Sequence, residues 1–227
     1  MYITNGIATI ESDQCISKWV RESGRLDHDQ NMLPLLKLFI PIHGVIIDVG
    51  AFIGDHTIFY SNRVGDKGKV YAFEPSKEAF ECLEHNLCNK SNTHIFNMAL
   101  GKTKGYVYIN KVEDNAGMNF ISGSEKGVIL GTLDDFVENN NINQIDFIKI
   151  DVEGYELSVL KGAEKSIAKF KPTLLIELND LTLSRAGISR KDIFDFLDKK
   201  YYLYRNIYIE KSIDEYQMDL ICYVKEN

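Results

Sequence analysis

The sequence predicts a doubly wound α/β domain, in which helices cover both faces of a mostly parallel sheet. Apolar runs alternate with helical patterns along most of the chain, and several of these runs have no polar face. Buried parallel strands read as continuous apolar runs because helices cover both of their faces. Alternating strands and helices are the order in which a chain builds such a sheet.

The composition is that of an ordinary folded protein. The chain has 227 residues, 44% of them hydrophobic and 26% charged, which is enough for one sizeable core. A net charge of −7 argues against a nucleic-acid partner and against binding to anionic membranes. The four cysteines are scattered without a C-x-x-C pair, so we expect reduced thiols and a cytoplasmic location. The apolar stretches are too short to span a bilayer.

Residues 1–44 are expected to form an N-terminal cap or lid, and residues 45–227 the main domain. Helical patterns lie at Gln14–Glu22 and Leu33–Ile40, and Pro34 is tolerated in a first turn. His28 and Asp29 could reach a site from such a lid, although a solvated loop is the commoner outcome for residues of this type.

The most informative stretch runs from Val45 to Glu74. An apolar strand is followed by Gly50 and Gly54, a short helical pattern, and a second apolar strand that ends in Glu74. Glycine permits a tight turn and a close approach of the backbone to a ligand. An acid at the end of the second strand can accept hydrogen bonds from ribose hydroxyls. This order predicts a nucleotide-type site, although the glycines of an ordinary strand–turn–helix serve packing alone.

The glycine spacing indicates the ligand. Dinucleotide sites use G-x-G-x-x-G, whereas this turn reads D-x-G-x-x-x-G from Asp48. A carboxylate there repels a pyrophosphate and suits a ligand with cationic and hydroxylated parts, so S-adenosylmethionine is the expected cofactor. The cofactor-binding candidates in this stretch are Asp48, Gly50, Ala51, Phe52, Gly54, His56, Thr57, Glu74 and Pro75.

The remaining elements follow from the spacing of apolar residues. We expect a helix at Lys77–Asn89, strands at His94–Leu100 and Tyr106–Ile109, an irregular loop near the ligand at Lys111–Lys126, and a helix at Leu133–Asn139. A strand at Gln144–Ile150, one helix through Leu157 and Ile167, a strand at Thr173–Glu177, a helix capped by Ser189, and strands at Tyr201–Tyr208 and Met218–Val224 complete the chain.

Carboxylates follow the ends of the predicted strands. Asp151 and Glu153 follow one apolar run, Glu177 ends the next, and Glu74 ends an earlier one. Ligands of open parallel sheets bind beyond the carboxyl ends of the strands, so we expect these acids around one crevice. Asp151, Glu153 and Glu177 are the catalytic candidates, with one of them as a general base. The same three are candidate ligands of Mg²⁺, ranked below a metal-free base, and a purely structural role stays open for each.

Six blocks of sequence occur in a familiar order: Val45–Gly54, Val70–Pro75, Asn97–Gly101, Thr132–Phe136, Asp146–Glu156 and Lys161–Ala163. Together they resemble the FkbM-type S-adenosylmethionine-dependent methyltransferases. The resemblance covers about Val45 to Glu177. Its most specific part is the block that begins at Asp151, whereas the glycine turn is shared by most class I methyltransferases.

The resemblance implies a seven-stranded sheet with an antiparallel last strand, and O-methylation of a hydroxyl on a sugar, glycan or natural product. It places Asn97 and Ala99, with Asp151, near the cofactor, and it matches Asn115 and Gly117 to the family's Asn-x-Gly loop. The family usually has Asn where Phe52 stands, so a polar contact is missing or replaced. Two other classes stay open: a catalytically silent cofactor-binding or partner-binding module, and, less favoured by the glycine spacing, a nucleotide-dependent oxidoreductase.

Overall fold

The computed structural model describes residues 1–124, 126–200, 202–208, 211–213 and 215–224. Its strands are β1 (Tyr2–Thr4), β2 (Ile7–Thr9), β3 (Val45–Val49), β4 (Lys69–Phe73), β5 (Thr93–Phe96), β6 (Ala99–Leu100), β7 (Gly105–Asn110), β8 (Phe120–Ser124), β9 (Val128–Gly131), β10 (Phe147–Ile150), β11 (Thr173–Asn179), β12 (Tyr202–Asn206) and β13 (Gln217–Val224). Its helices are α1 (Ile16–Ser23), α2 (Met32–Leu36), α3 (Asp55–Val64), α4 (Lys77–Leu87), α5 (Leu133–Asn139), α6 (Glu156–Gly162), α7 (Glu164–Phe170), α8 (Asp180–Arg185) and α9 (Arg190–Lys199).

The central sheet has seven strands in the order β12-β13-β11-β10-β3-β4-β5. The pairs from β11 to β5 are parallel, whereas β13 runs antiparallel to both β11 and β12. The α/β class and the seven strands agree with the prediction, and the sheet is mixed rather than purely parallel. Tyr201 and Ile209, which bounded predicted C-terminal elements, lie outside the described residues.

Successive residues of the central strands pack into two different cores. Ile47 and Ile148 lie in a core formed with α5, α6, α7 and α9. Ile46 and Phe147 lie in a second core formed with α2 and α3. All four side chains are fully buried, because side chains of a strand alternate between the two faces of a sheet. This two-sided burial explains why the strands read as continuous apolar runs.

A second sheet, in the order β6-β9-β7-β8, lies outside the central one. The predicted strand at His94–Leu100 is wrong as a single element, because β5 ends at Phe96 and β6 pairs with β9 instead. The predicted irregular loop at Lys111–Lys126 is also wrong in part, since it contains a 3₁₀ helix at Ala116–Met118 and strand β8. β8 carries Ser and Gly, which are weak strand formers, and its pairing with β7 supplies the order.

Residues 1–44 contain the hairpin β1–β2 as well as α1 and α2. The sequence did not predict this hairpin, because strands of three residues carry almost no periodicity. Asn86 of α4 anchors it: its side chain accepts from the Ala8 amide at 2.8 Å and donates to the Ala8 carbonyl at 3.0 Å. The segment is therefore packed on the main domain.

One predicted helix divides into two. Residues 156–170 form α6 and α7, which meet at Ala163. Gly162 at this junction packs so closely that an added Cβ would lie 1.9 Å from the Gly101 carbonyl oxygen. α8 was not predicted, and it begins directly at the end of β11. In the part of the chain described, no helix combines the length and apolar character needed to cross a membrane.

Candidate active site

A cavity of about 380 Å³ opens at the carboxyl ends of β3, β4, β10 and β11. This is where open parallel sheets bind ligands. The predicted site residues that line it are Gly50, Phe52, His56, Glu74, Pro75, Asp151, Glu153 and Glu177. The structure therefore brings all of the catalytic candidates and the predicted ribose acid into one cavity.

The other cofactor-binding candidates do not line the cavity. Asp48 and Thr57 are fully buried and bonded to each other, with Thr57 Oγ1 donating to Asp48 Oδ2 at 2.6 Å. Ala51 packs in a core against α4. Ala99 is buried in the second sheet, and Asn97 donates to the Glu74 carbonyl at 2.8 Å. Gly54 starts α3 with φ of 97°. These residues support the walls of the cavity rather than facing it.

Glu74 follows the end of β4 and is held rigidly. One carboxylate oxygen accepts from the Phe52 amide at 2.9 Å, and the other accepts from the Ser76 amide at 2.8 Å. Burial raises its pKa to about 7, while these two amides favour the ionised form. Each carboxylate oxygen has a second lone pair, so Glu74 can still accept hydrogen bonds from a ligand.

The glycine turn brings β3 and β10 into close contact. A Cβ on Gly50 would lie 1.8 Å from the Asp151 carbonyl oxygen, and the residue has φ of 83°. No residue other than glycine fits this contact. Phe52 also has positive φ, 48°, and its ring packs on the N-terminal segment, including Ile16 and Trp19. The turn therefore connects the cavity floor to residues 1–44.

Lys149 is buried beneath the cavity, and sequence reasoning did not select it. Its Nζ donates to the Gly50 carbonyl at 2.8 Å and lies 3.0 Å from Asp151 and 3.9 Å from Asp48. Burial opposes its charge, but Asp151 and Asp48 outweigh burial and raise its pKa further. Its only sequence signal was a charged residue inside an apolar strand.

Asp151 and Glu177 form a coupled pair. Burial disfavours the ionised form of Asp151, but the charge of Lys149 and a hydrogen bond from Glu177 outweigh it and lower its pKa. The charge of Asp151, with burial, raises the pKa of Glu177 well above its usual value. Asp151 thus carries the negative charge and Glu177 holds the proton.

Glu153 lies on the loop between β10 and α6 with φ of 54°. Burial, followed by repulsion from Asp151 and Glu156, raises its pKa to about 8. Glu156 holds this loop, because its Oε1 accepts from the Gly154 amide at 2.9 Å. Oxygen atoms of Asp151, Glu153 and Glu177 lie within 4.8 Å of one another.

The N-terminal segment contributes His28 and Asp29 to the cavity wall. His56 Nε2 lies 2.8 Å from Asp29 Oδ2. Burial opposes the charged form of His56, but the hydrogen bond to Asp29 and the charge of Asp55 outweigh it, so its pKa is raised. The sequence-based suggestion that residues 28 and 29 reach the site from an N-terminal lid agrees with this geometry.

Three further residues line the cavity and were not singled out from sequence: Asn179, Gln217 and Asp219. Gln217 Nε2 donates to Glu177 Oε1 at 2.6 Å. Because β13 is antiparallel to β11, its first residues lie at the carboxyl end of the parallel strands. No local pattern shows which end of a C-terminal strand reaches a site.

The fold and the site define a class of protein, the methyltransferases with an α/β sheet. The methyltransferase FkbM of Methylobacillus flagellatus superposes with a TM-score of 0.55 at 18% identity, over 79% of this chain and 43% of that one. Aeropyrum pernix fibrillarin, solved with natively bound S-adenosyl-L-methionine, gives a TM-score of 0.55 at 12% identity, over 88% and 76% of the two chains. The chain thus spans less than half of the Methylobacillus protein.

Within that class, the sequence profile described as the Methyltransferase FkbM domain matches residues 48–205. The chain belongs to this family, as the resemblance predicted. A relative, the hexuronic acid methyltransferase AglP of Haloferax volcanii, is 27% identical over 174 residues, which cover 75% of this chain and 68% of the relative.

Proposed function

We propose that the protein transfers a methyl group from S-adenosylmethionine to a hydroxyl of a sugar or another small molecule. One observation carries the proposal: Glu74 and the carboxyl groups of Asp151, Glu153 and Glu177 line the same cavity. The family membership and the AlgP-like relative's sugar substrate support the reaction class only by analogy. Residues 45–227 form the catalytic domain in this proposal, and residues 1–44 form its cap.

The cofactor half of the cavity comprises the glycine turn and the end of β4. Glu74 accepts the ribose hydroxyls, Gly50 lets the backbone approach the ligand, and Phe52 and Pro75 provide apolar wall. Asp48, Ala51, Gly54, Thr57, Asn97 and Ala99 act from behind this wall. Asp48 and Thr57 fix the turn through their mutual hydrogen bond. When bound, S-adenosylmethionine supplies an electrophilic methyl group on a sulfonium.

The acceptor half comprises the ends of β10 and β11. A sugar hydroxyl is a weak nucleophile, so a base must take its proton as the oxygen attacks. Asp151 is a weak base because Lys149 and Glu177 stabilise its charge. Glu153, with a pKa of about 8, is matched to neutral pH and ranks first. Lys149 and Glu177 act on the reaction through Asp151.

Magnesium is the second candidate for activating the acceptor. The oxygens of Asp151, Glu153 and Glu177 are close enough to bind one cation, and hard oxygen ligands suit Mg²⁺. Against it, Lys149 already neutralises Asp151. A metal-free base therefore ranks first, and activity that survives dialysis against a chelator would exclude the metal.

Calorimetry with S-adenosylmethionine and with NADH tests the cofactor. We expect binding of the first alone, weakened at least about tenfold by Glu74→Gln, because a hydrogen bond to a charged group contributes roughly 1.5–3 kcal/mol. Glu81→Gln, an exposed change on α4, is the matched control, and thermal unfolding checks that both variants fold.

Formation of S-adenosylhomocysteine in the presence of a panel of sugars then tests transfer. Binding of the donor without transfer to any acceptor would favour the catalytically silent module. Binding of NADH in its place would favour an oxidoreductase.

A further inference from the structure

The acceptor half of the cavity is lined by more acids than the reaction needs. Asp151, Glu153, Glu177 and Asp219 lie together at the ends of β10 and β11 and the start of β13. One base suffices for proton removal. The other carboxyl groups therefore have a different consequence, which is to determine the charge of the molecule that can enter.

The cations of the cavity are already engaged. Among the described residues that line it, Lys149 is the only lysine or arginine. It bonds to the Gly50 carbonyl and to Asp151. The two histidines of the wall, His28 and His56, face Asp29 at 3.5 Å and 2.8 Å. No positive group of this wall is left to receive an acidic substituent.

Two of the acids have no such partner. The carboxyl groups of Glu153 and Asp219 accept no hydrogen bond from any residue that the structure describes. Burial and repulsion from Asp151 raise the pKa of Glu153 to about 8 and that of Asp219 to about 6. A cation placed between them would relieve this repulsion, whereas another carboxylate would add to it.

We propose that the acceptor is a sugar-like molecule without a carboxylate, and that an amine near the reacting hydroxyl improves it. This rests on the proposed function, since it names the acceptor of the same site. It sets the chain apart from the Haloferax relative, whose name assigns it a hexuronic acid. Opposed unit charges a few ångströms apart in a partly buried site change affinity by at least about tenfold.

Three methyl glycosides that differ only at C6 test the proposal: the 6-amino-6-deoxy sugar, the neutral hexose and the hexuronate, each in the gluco, galacto and manno series. S-adenosylhomocysteine formation gives kcat/KM for each, and calorimetry gives donor binding. We expect the amine to exceed the neutral sugar, and the neutral sugar to exceed the hexuronate by at least about tenfold.

Asp219→Asn removes one acid that has no role in the proposed transfer. It should reduce the preference for the amine over the hexuronate several-fold, whereas Asp66→Asn, an exposed acid outside the cavity, should leave it unchanged. A smaller preference in both variants, or in neither, overturns the role of the cavity wall.

The outcomes separate the two proposals. A hexuronate methylated as fast as the neutral sugar overturns this inference and leaves the proposed function intact. Donor binding without S-adenosylhomocysteine from any of the sugars removes sugar methylation, and this inference with it.

Discussion

Lys149 shows how single residues set the chemistry of this site. It is 6% exposed, yet its charge is stabilised by Asp48 and Asp151 on either side. Its charge keeps Asp151 ionised, and ionised Asp151 in turn keeps the proton on Glu177. Environment rather than residue type therefore divides the roles of acids that look equivalent in the sequence.

Glu153 is the residue at which pH should control the rate. Its pKa is about 8, and a general base acts only when deprotonated, so the rate of methyl transfer should rise with pH up to about that value. Glu153→Gln should lower kcat by about a hundredfold or more and abolish this rise. Stopped assays of S-adenosylhomocysteine across the pH range measure both.

The control for this prediction is Glu138→Gln, which changes an exposed acid on α5. A Glu153→Gln enzyme with full activity and an unchanged pH profile would assign the base to another carboxylate.

At the scale of elements, the sequence predicted the central strands and most helices, because each buries a continuous or periodic apolar surface. α5 agrees with its predicted bounds, and Thr132 caps it by accepting from the Asp135 amide. The short hairpin β1–β2 and strand β8 were missed, since their pairing partners rather than their residues define them. The junction at Gly162 depends on a contact with Gly101 in a distant loop.

Asp134 connects two helices. From α5, its carboxylate accepts from the amides of Lys165 and Ser166 at 2.9 and 2.7 Å, and so caps α7. Loss of such a cap costs about 1–2 kcal/mol. Asp134→Ala should therefore lower the free energy of unfolding by that amount in urea titrations.

Glu138→Ala, on the same helix, is again the matched control, and it should change the free energy of unfolding by less than about 0.5 kcal/mol. Equal losses in Asp134→Ala and Glu138→Ala would show that α5 itself, and not the cap, is affected.

At the scale of the whole molecule, the concentration of acids at one sheet edge should make the protein less stable as pH rises. The folded-state pKa values of Glu74, Glu153 and Glu156 are raised to about 7, 8 and 7. A raised pKa contributes stability below the unfolded-state value, 4.5 for Glu, and that stability is lost as pH rises through the folded-state value. His56 and Asp219 act in the same direction.

We therefore expect the free energy of unfolding to fall between about pH 5 and about pH 8, by on the order of 2–4 kcal/mol. Urea titrations at both pH values measure the change. Glu156→Gln, which removes one titrating acid, should make the fall smaller. Stability that is constant or rises over this interval would contradict the burial of these acids.

The sequence by itself determined the alternation of strands and helices, the glycine turn, and the acids that follow the strands. These are local properties: apolar runs, a spacing of glycines, and the direction of each parallel strand, which together place Glu74, Asp151 and Glu177 at one edge. Only the tertiary structure decided that the antiparallel β13 brings Asp219 to that edge, and that Asp29 meets His56. Such contacts join residues far apart in the chain, and they depend on sheet order and burial, which no local pattern encodes.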